Sequence, residues 1–123
     1  NANDIAKIMQ MYLWKGSYGS VTYLRPETLD LFNTCNYCDV DVRRGVGFDK
    51  PQLEDVGPTC GCVSMDSFGH SGFTGTFTWA DPEQDIIYVF LSNRTYPDAT
   101  NRKIIKNNLR SDIQELIYHS IEY

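Results

Sequence analysis

The chain has 123 residues, a length that suits one domain and is too short for two. Apolar residues make up 41% of it, which is a globular proportion and argues against intrinsic disorder. The formal net charge of −5 offers no basic surface to hold a phosphate backbone, so we expect no nucleic-acid partner.

The hydropathy and the first residue bear on where the protein works. No apolar run is long enough to cross a bilayer, and the N-terminus lacks the basic start and apolar core of a signal peptide. The chain opens with Asn1 rather than Met, which favours a segment cut from something longer, although processing or cloning also removes an initiator Met. We therefore expect either a cytosolic chain or a longer precursor that carries the export signal.

Two helices are predicted in the first third of the chain. The first is capped by Asn3 or Asp4 and ends at Gly16 or Gly19. The second is short and begins near Pro26, because the missing N–H of proline costs nothing in a first turn. Their apolar residues, at helical spacing, are Ile5, Ile8, Met9, Tyr12 and Leu13 in the first helix and Leu29, Leu31 and Phe32 in the second.

The middle of the chain predicts one strand between irregular segments. Residues 34–38 are turn-like, and residues 40–49 form a predicted strand with Val42, Val46 and Phe48 on one face. Residues 50–67 combine several prolines and glycines with little periodicity, which predicts a loop.

A β-hairpin is predicted over residues 72–92. Phe73, Gly75, Phe77 and Trp79 alternate with three threonines, so one face is apolar and the other carries hydroxyl groups. A turn at residues 81–85 follows. Residues 86–91 are apolar without alternation, which indicates a strand covered on both faces.

A helix over residues 100–118 closes the chain, with Asp98 or Thr100 as its cap and an apolar stripe formed by Ile105, Leu109, Ile113, Leu116 and Ile117. The predicted fold class is therefore α+β. A small antiparallel sheet of about three strands packs against the N- and C-terminal helices.

The sequence from Phe68 to Thr76, with His70-Ser71-Gly72 at its centre, is the most informative stretch. An Asp-Pro turn, an apolar strand ending in Ser-Asn-Arg, a Pro-Asp loop and a terminal helix follow it in order. This set resembles the third active-site box of the penicillin-recognising serine hydrolases, which comprise serine β-lactamases, DD-peptidases and esterases. That box is Lys-Thr-Gly in many β-lactamases and His-x-Gly in several DD-peptidases. The chain is also similar, more weakly, to the hydrolase-like domain that follows a glycoside hydrolase family 3 domain.

The resemblance implies a role for each residue of the box. Phe73, directly after it, is the residue whose N–H meets the developing oxyanion in this family. Gly72 lets a substrate approach the strand closely, and His70 and Ser71 offer hydrogen bonds to a carboxylate or amide. Without the resemblance, the glycines would fit a bulge or close packing, and His70 would fit a structural role.

The family's nucleophile is a Ser with a Lys three residues later, and no Ser-x-x-Lys occurs in the chain. The resemblance implies that residues 1–123 are a single partial domain, the C-terminal segment of a β-lactamase-like domain, which should be inactive alone. Two hypotheses stay open. The full-length protein is a serine hydrolase that cleaves a small peptide, amide or ester substrate through an acyl-enzyme, or it is a non-catalytic binding or scaffolding module of a larger envelope enzyme.

The resemblance also implies partners and a location. In the family, the strand that matches residues 86–91 pairs with a strand from the N-terminal part of the same domain. If that part is missing, the edge is bare and apolar, and we expect dimerisation or strand exchange. The full-length protein is expected in the periplasm or cell envelope, and its hydrolase chemistry requires no cofactor.

Four cysteines form two close pairs, Cys35-x-x-Cys38 and Cys60-x-Cys62. They can place four thiolates around one structural zinc ion, or they can form two disulfides, or they can stay free. Among disulfides, pairing between the two segments is favoured, because a bridge within Cys60-Gly61-Cys62 would be strained. A neighbouring basic pair, Arg43-Arg44, either faces an acidic substrate or is solvated and ion-paired.

Overall fold

The computed structural model describes residues 1–53 and 57–121. The described elements are, in chain order, α1 (Ala2–Leu13), β1 (Ser17–Tyr18), β2 (Val21–Thr22), α2 (Pro26–Asn33), β3 (Phe68–Ser71), β4 (Phe77–Asp81), β5 (Ile86–Phe90), α3 (Lys103–Lys106) and α4 (Leu109–Ile121). The strands β3, β4 and β5 form one antiparallel sheet in that order, and β1 and β2 form a separate hairpin. The α+β class and the three-stranded sheet between terminal helices are confirmed.

Each face of the sheet carries one terminal helix. On one face, Met9 of α1 packs against Phe68 and Ala80, with Tyr12 and Phe48 at the edge of the cluster. On the other face, α4 covers an aromatic cluster formed by Phe77, Trp79 and Tyr88, with Ile113 and Ile117 packed against it. The expectation that the last strand is covered on both faces therefore holds, since Ile87 belongs to the first cluster and Tyr88 to the second.

The helix ends differ in detail from the predictions. Asn1, and not Asn3 or Asp4, caps α1, and Asp4 completes a capping box as the third helical residue. The predicted closing helix is broken into α3 and α4 at Asn107 and Asn108, where Asn108 has a φ of +50°. Asparagine is a poor helix former and tolerates this left-handed conformation, which explains the break.

The predicted strand over residues 40–49 is wrong. A 3-10 helix occupies Cys38–Val40, and Asp41 then turns the chain with a φ of +63°. Gly45 lies so close to the Phe32 carbonyl oxygen that a Cβ would be 2.3 Å from it. The segment pairs with neighbours only through single bridges, such as the one between Asp49 and Gly69. The predicted loop that follows has no helix or strand in residues 50–53 and 57–67, and its residues 54–56 lie outside the described residues.

The predicted hairpin is correct in place and shifted at its start. Residues 72–76 form a turn, in which the Gly72 N–H donates to the Thr76 carbonyl oxygen at 2.6 Å and Gly75 has a φ of +91°. The strand therefore begins at Phe77 and not at Phe73, and Phe68–Ser71 forms the strand before the turn. Consequently His70 and Ser71 end a strand, whereas Gly72 and Phe73 belong to the turn.

A buried carboxylate ties the sheet to the loop before it and to α4. Asp81 ends β4, is fully buried, and accepts hydrogen bonds from the Ser64 backbone, the Ser64 hydroxyl, the Glu83 backbone and the Tyr118 hydroxyl at 2.6 to 3.0 Å. Burial alone would raise the pKa of Asp81, but these hydrogen bonds outweigh it and hold the pKa below its ordinary value. Asp81 thus stays ionised in the core, as a structural anchor.

The four cysteines form two local disulfides, Cys35–Cys38 and Cys60–Cys62. The predicted cross-pairing is therefore wrong, because every sulfur is bonded to its near neighbour, and the structure gives the zinc interpretation no support. The pairs also lie far apart in the fold: Cys35 borders a cavity with Tyr12 of α1, whereas Cys60 contacts Gln114 of α4 on the opposite face of the sheet. Among residues 1–53 and 57–121, no cluster of three or more His, Cys, Asp or Glu side chains is arranged to hold a metal ion.

No helix in the described part of the chain combines the length and the apolar character needed to span a membrane.

Candidate active site

The four predicted site residues lie where β3 ends and its turn begins. His70 is exposed, Ser71 is half-buried, and the Phe73 side chain is 75% exposed. They form an open surface: the cavity of about 410 Å³ that is bordered by α1, α2 and residues near positions 43–50 and 65–68 is lined by other residues. The helices of the chain cover the faces of the sheet and leave this end of β3 uncovered.

The outer edge of β3 is paired at its start and open at its end. The N–H and the carbonyl of Gly69 both bond to Asp49, on the side away from β4. Because backbone groups in a strand alternate between its two edges, the N–H of Ser71 points to that same outer side. Beyond the single bridge at Gly69, no residue in the described part of the chain pairs with this edge, which leaves it open to an extended ligand.

The contacts of the His70 ring fix its tautomer. Nδ1 lies 2.9 Å from the carbonyl oxygen of Ser71, and a carbonyl can only accept, so Nδ1 carries the proton. Nε2 lies 2.7 Å from Nη2 of Arg44, and a guanidinium can only donate, so Nε2 is the acceptor. The two contacts favour the tautomer with the proton on Nδ1, whose Nε2 lone pair is directed at the Arg44 guanidinium.

Arg44 is itself oriented by a carboxylate. Its Nε lies 3.2 Å from Oδ1 of Asp49, the residue whose backbone bridges Gly69. The sequence marked Arg44 only as half of a basic pair with two open interpretations. Arg44 lies 26 residues before His70 in the sequence, and no local pattern indicated that its segment returns to β3. Arg44 and Asp49 are thus neighbours of the site that sequence reasoning missed.

Gly69 and Gly72, which lie near the candidate site, differ in whether packing requires a glycine. A Cβ on Gly69 would lie 2.2 Å from the Thr78 carbonyl oxygen and 2.3 Å from the Trp79 ring, so packing requires glycine there. A Cβ on Gly72 would meet only Thr76, at an ordinary distance of 3.5 Å. The packing of the described residues therefore does not require glycine at position 72. A ligand that approached the backbone closely would require it.

Phe73 presents its backbone as well as its ring. The ring stacks on the Arg94 guanidinium, 4.8 Å from the ring centroid, and this contact orients an otherwise exposed side chain. The Phe73 N–H has no acceptor among residues 1–53 and 57–121. It is available to an oxygen of a bound molecule.

The model of the family described as Beta-lactamase matches residues 2–110, which is most of the chain. The chain belongs to the β-lactamase family. The region of the His70-Ser71-Gly72 box lies inside the match, so the family resemblance given by the sequence is confirmed.

Relatives of known name fall in the same family. A protein from Escherichia coli with the name "Putative D-alanyl-D-alanine carboxypeptidase" is 36% identical over 97 residues, covering 78% of this chain and 22% of that protein. A protein of the same name from Salmonella agona is 32% identical over 108 residues, covering 87% of this chain and 24% of that protein. The chain thus spans less than a quarter of the length of these curated relatives.

A solved structure supports the fold. A β-lactamase from Mycobacterium bovis superposes with a TM-score of 0.70 over 96% of this chain and 43% of that chain, at 20% sequence identity. The sheet, the terminal helices and the turn after β3 therefore form the arrangement of a β-lactamase-like fold. Membership of the β-lactamase family makes the chain a serine-hydrolase-like segment. Its 123 residues contain no Ser-x-x-Lys.

Proposed function

We propose that the end of β3 forms one wall of an acyl-transfer site whose attacking serine lies outside these 123 residues. The full-length protein would cleave a peptide, amide or ester. Its serine would attack the substrate carbonyl, expel the amine or alcohol and form an acyl-enzyme, which water then hydrolyses. The curated relatives cover about four times this length, which supports a site completed by further chain.

The free N–H of Phe73 is the observation that carries this proposal. A tetrahedral intermediate needs donors aimed at its oxyanion, and this amide lies beside an open strand edge without an acceptor in the described residues. Gly72 would leave room for the substrate backbone, while Ser71 and the Arg44–His70 pair would bind its polar groups. The carboxypeptidase names of the relatives make peptides that end in D-alanyl-D-alanine the first substrates to test.

Two further parts of the proposal concern location and partners. Two disulfides support an exported protein, because disulfides persist in oxidising compartments, and we propose the periplasm or cell envelope. β5 is the outermost strand beyond β4, so its far edge would pair with a strand from the rest of the domain or from a second copy.

A fluorescent penicillin tests the proposal. We expect the full-length protein encoded by the gene that contains these residues to form an adduct that survives denaturation, and we expect the 123-residue chain alone to form none. Mutation of an upstream Ser-x-x-Lys serine to Ala should abolish the adduct. A stable adduct on the chain alone would contradict the assignment of the nucleophile.

The second candidate is a non-catalytic binding or scaffolding module, and the missing Ser-x-x-Lys is the observation that favours it. A full-length protein that also lacks this motif, stays unlabelled and still binds penicilloate or a D-alanyl-D-alanine peptide would support this candidate over the hydrolase.

A further inference from the structure

A cavity of about 410 Å³ lies away from the β3 edge, bordered by α1, α2 and residues near positions 43–50 and 65–68. Its wall includes Arg43 and Lys50, whose backbones are joined by a hydrogen bond from the Lys50 amide to the Arg43 carbonyl oxygen at 3.1 Å. The proposed acyl-transfer site uses neither of them. These two side chains are therefore available for a function separate from acyl transfer.

Lys50 is a buried amine. The residue is only 6% exposed, its Nζ donates to the Asp66 carbonyl oxygen at 2.7 Å, and the ammonium lies 5.9 Å from the centre of the Phe68 ring. One hydrogen bond uses one of its three donors. Lysine is almost never buried without a counter-ion, so this placement calls for an explanation.

The surroundings of Lys50 favour the neutral amine. Burial lowers its pKa from 10.5 to about 8, with Arg43 and Lys15 adding to the shift and the carboxylates of Asp66 and Asp81 opposing it. Only the neutral form of an amine is a nucleophile, and its share at neutral pH is far larger here than for an ordinary lysine.

The other charges of the cavity favour an anionic ligand. Lys15 is paired with Asp30 at 2.5 Å. The remaining charged side chains of the lining are two cations, Arg43 and Lys50, and one exposed carboxylate, Asp66. Arg43 donates its Nε–H to the Pro51 carbonyl oxygen, and its two terminal nitrogens have no hydrogen-bond partner among the described residues, so they can bind an anion end-on.

We propose that this cavity binds a small anionic aldehyde or ketone, whose carbonyl carbon Lys50 attacks and whose anionic group Arg43 holds. The Nζ lone pair adds to the carbonyl carbon, the amine proton moves to the oxygen, and the carbinolamine loses water. The product is an imine between Lys50 and the ligand, with one water released and no oxidant or reductant consumed.

The test uses pyridoxal 5′-phosphate, which carries both an aldehyde and a phosphate. The intact 123-residue chain is treated at pH 7.5, the imine is trapped with cyanoborohydride, which leaves disulfides intact, and the labelled peptides are mapped by mass spectrometry. The chain has five lysines, and Lys7, Lys15, Lys103 and Lys106 serve as internal references. Fragmentation assigns each label to a single residue, so that a label on the α-amino group, which also forms imines, is kept apart from a label on Lys7.

We expect Lys50 to be labelled at least tenfold faster than each of the other lysines. Pyridoxal, which lacks the phosphate, should label it at least fivefold more slowly, and Arg43→Gln should remove that difference. Arg102→Gln, the same substitution at an exposed position outside the cavity lining, should leave the Lys50 rate unchanged. Label spread over the exposed lysines, or equal rates with pyridoxal and its phosphate, would overturn the proposal. The comparison of lysines is made in the wild-type chain, so the test does not depend on a Lys50 variant that folds.

Discussion

The His70 ring is held between a carbonyl acceptor and a guanidinium donor, and this determines what it can do for a substrate. With Nδ1 donating to the Ser71 carbonyl and Nε2 accepting from Arg44, both ring nitrogens are already occupied within the chain. The Asp49–Arg44–His70 chain thus places a positive charge beside the open end of β3.

Nitrogen-15 NMR tests the tautomer directly. The chain has two histidines, and His119→Asn assigns the signals of His70. With the ring neutral, we expect a protonated Nδ1 and a bare Nε2. Arg44→Met should raise the population of the Nε2-protonated tautomer, because the donor that occupies Nε2 is gone, whereas the exposed Arg25→Met should not. A wild-type spectrum with Nε2 protonated would contradict the assignment.

Gly69 and Gly72 provide a matched pair for stability. Gly69→Ala should lower the free energy of unfolding by about 1–3 kcal/mol, because the new methyl group overlaps the Thr78 carbonyl and the Trp79 ring. Gly72→Ala should change it by less than about 0.5 kcal/mol, since that methyl group meets only ordinary contacts. Urea denaturation measures both. An equal loss in the two variants would mean that the fold, and not a ligand, requires glycine at position 72.

The elements are joined by polar contacts as well as by the two apolar clusters. Trp79 donates from its ring nitrogen to Ser67, Ser67 donates to the Ser64 carbonyl, and Ser64 bonds Asp81, so the loop before β3 is fastened beneath the sheet. Tyr118 brings α4 into the same network. Burial is the larger cause that raises the pKa of its hydroxyl, and the nearby Asp81 carboxylate is the smaller one. This network holds in place the loop from which β3 starts.

Tyr118→Phe tests the link between α4 and the sheet. Removing one donor to a buried carboxylate should cost about 1–3 kcal/mol at pH 7, while Tyr23→Phe, at an exposed position, should cost little. The folded-state pKa of Asp81 lies below its ordinary 3.8, so its contribution is present above that pH and is lost as the pH falls below it. The difference between wild type and Tyr118→Phe should therefore shrink in acid. A pH-independent difference would contradict this role.

Apolar periodicity in the sequence predicted the helices and strands that bury one regular face. It failed where a single tertiary contact determines the backbone conformation. The first two helices and the β4–β5 hairpin follow from apolar spacing and from Pro26. The predicted strand at 40–49 fails because Gly45 is held against the Phe32 carbonyl and Asp41 reverses the chain, neither of which alternation can reveal. The site was indicated by the box residues, whereas Arg44 and Asp49 joined it through tertiary contacts that only coordinates reveal.

For the whole molecule, neither outer strand of the sheet has a partner strand among the described elements, but β3 carries a bridge from Gly69 to Asp49, so the far edge of β5 is the more open of the two. We predict that isolated chains associate through this edge. Sedimentation should show self-association, and the β5 amides that do not bond β4 should gain protection from hydrogen exchange as the concentration rises. A monomer at high concentration, with those amides exchanging freely, would contradict the prediction.

The central claim is that the turn after β3 supplies a backbone donor for acyl transfer, and one pair of variants tests it in the full-length protein. Phe73→Pro removes the N–H, whereas Phe73→Ala removes only the ring. If that N–H binds the oxyanion, the rate of acylation by a fluorescent penicillin should fall about 100- to 1,000-fold in Phe73→Pro and by less than about tenfold in Phe73→Ala. Equal acylation rates in two equally well-folded variants would contradict the claim.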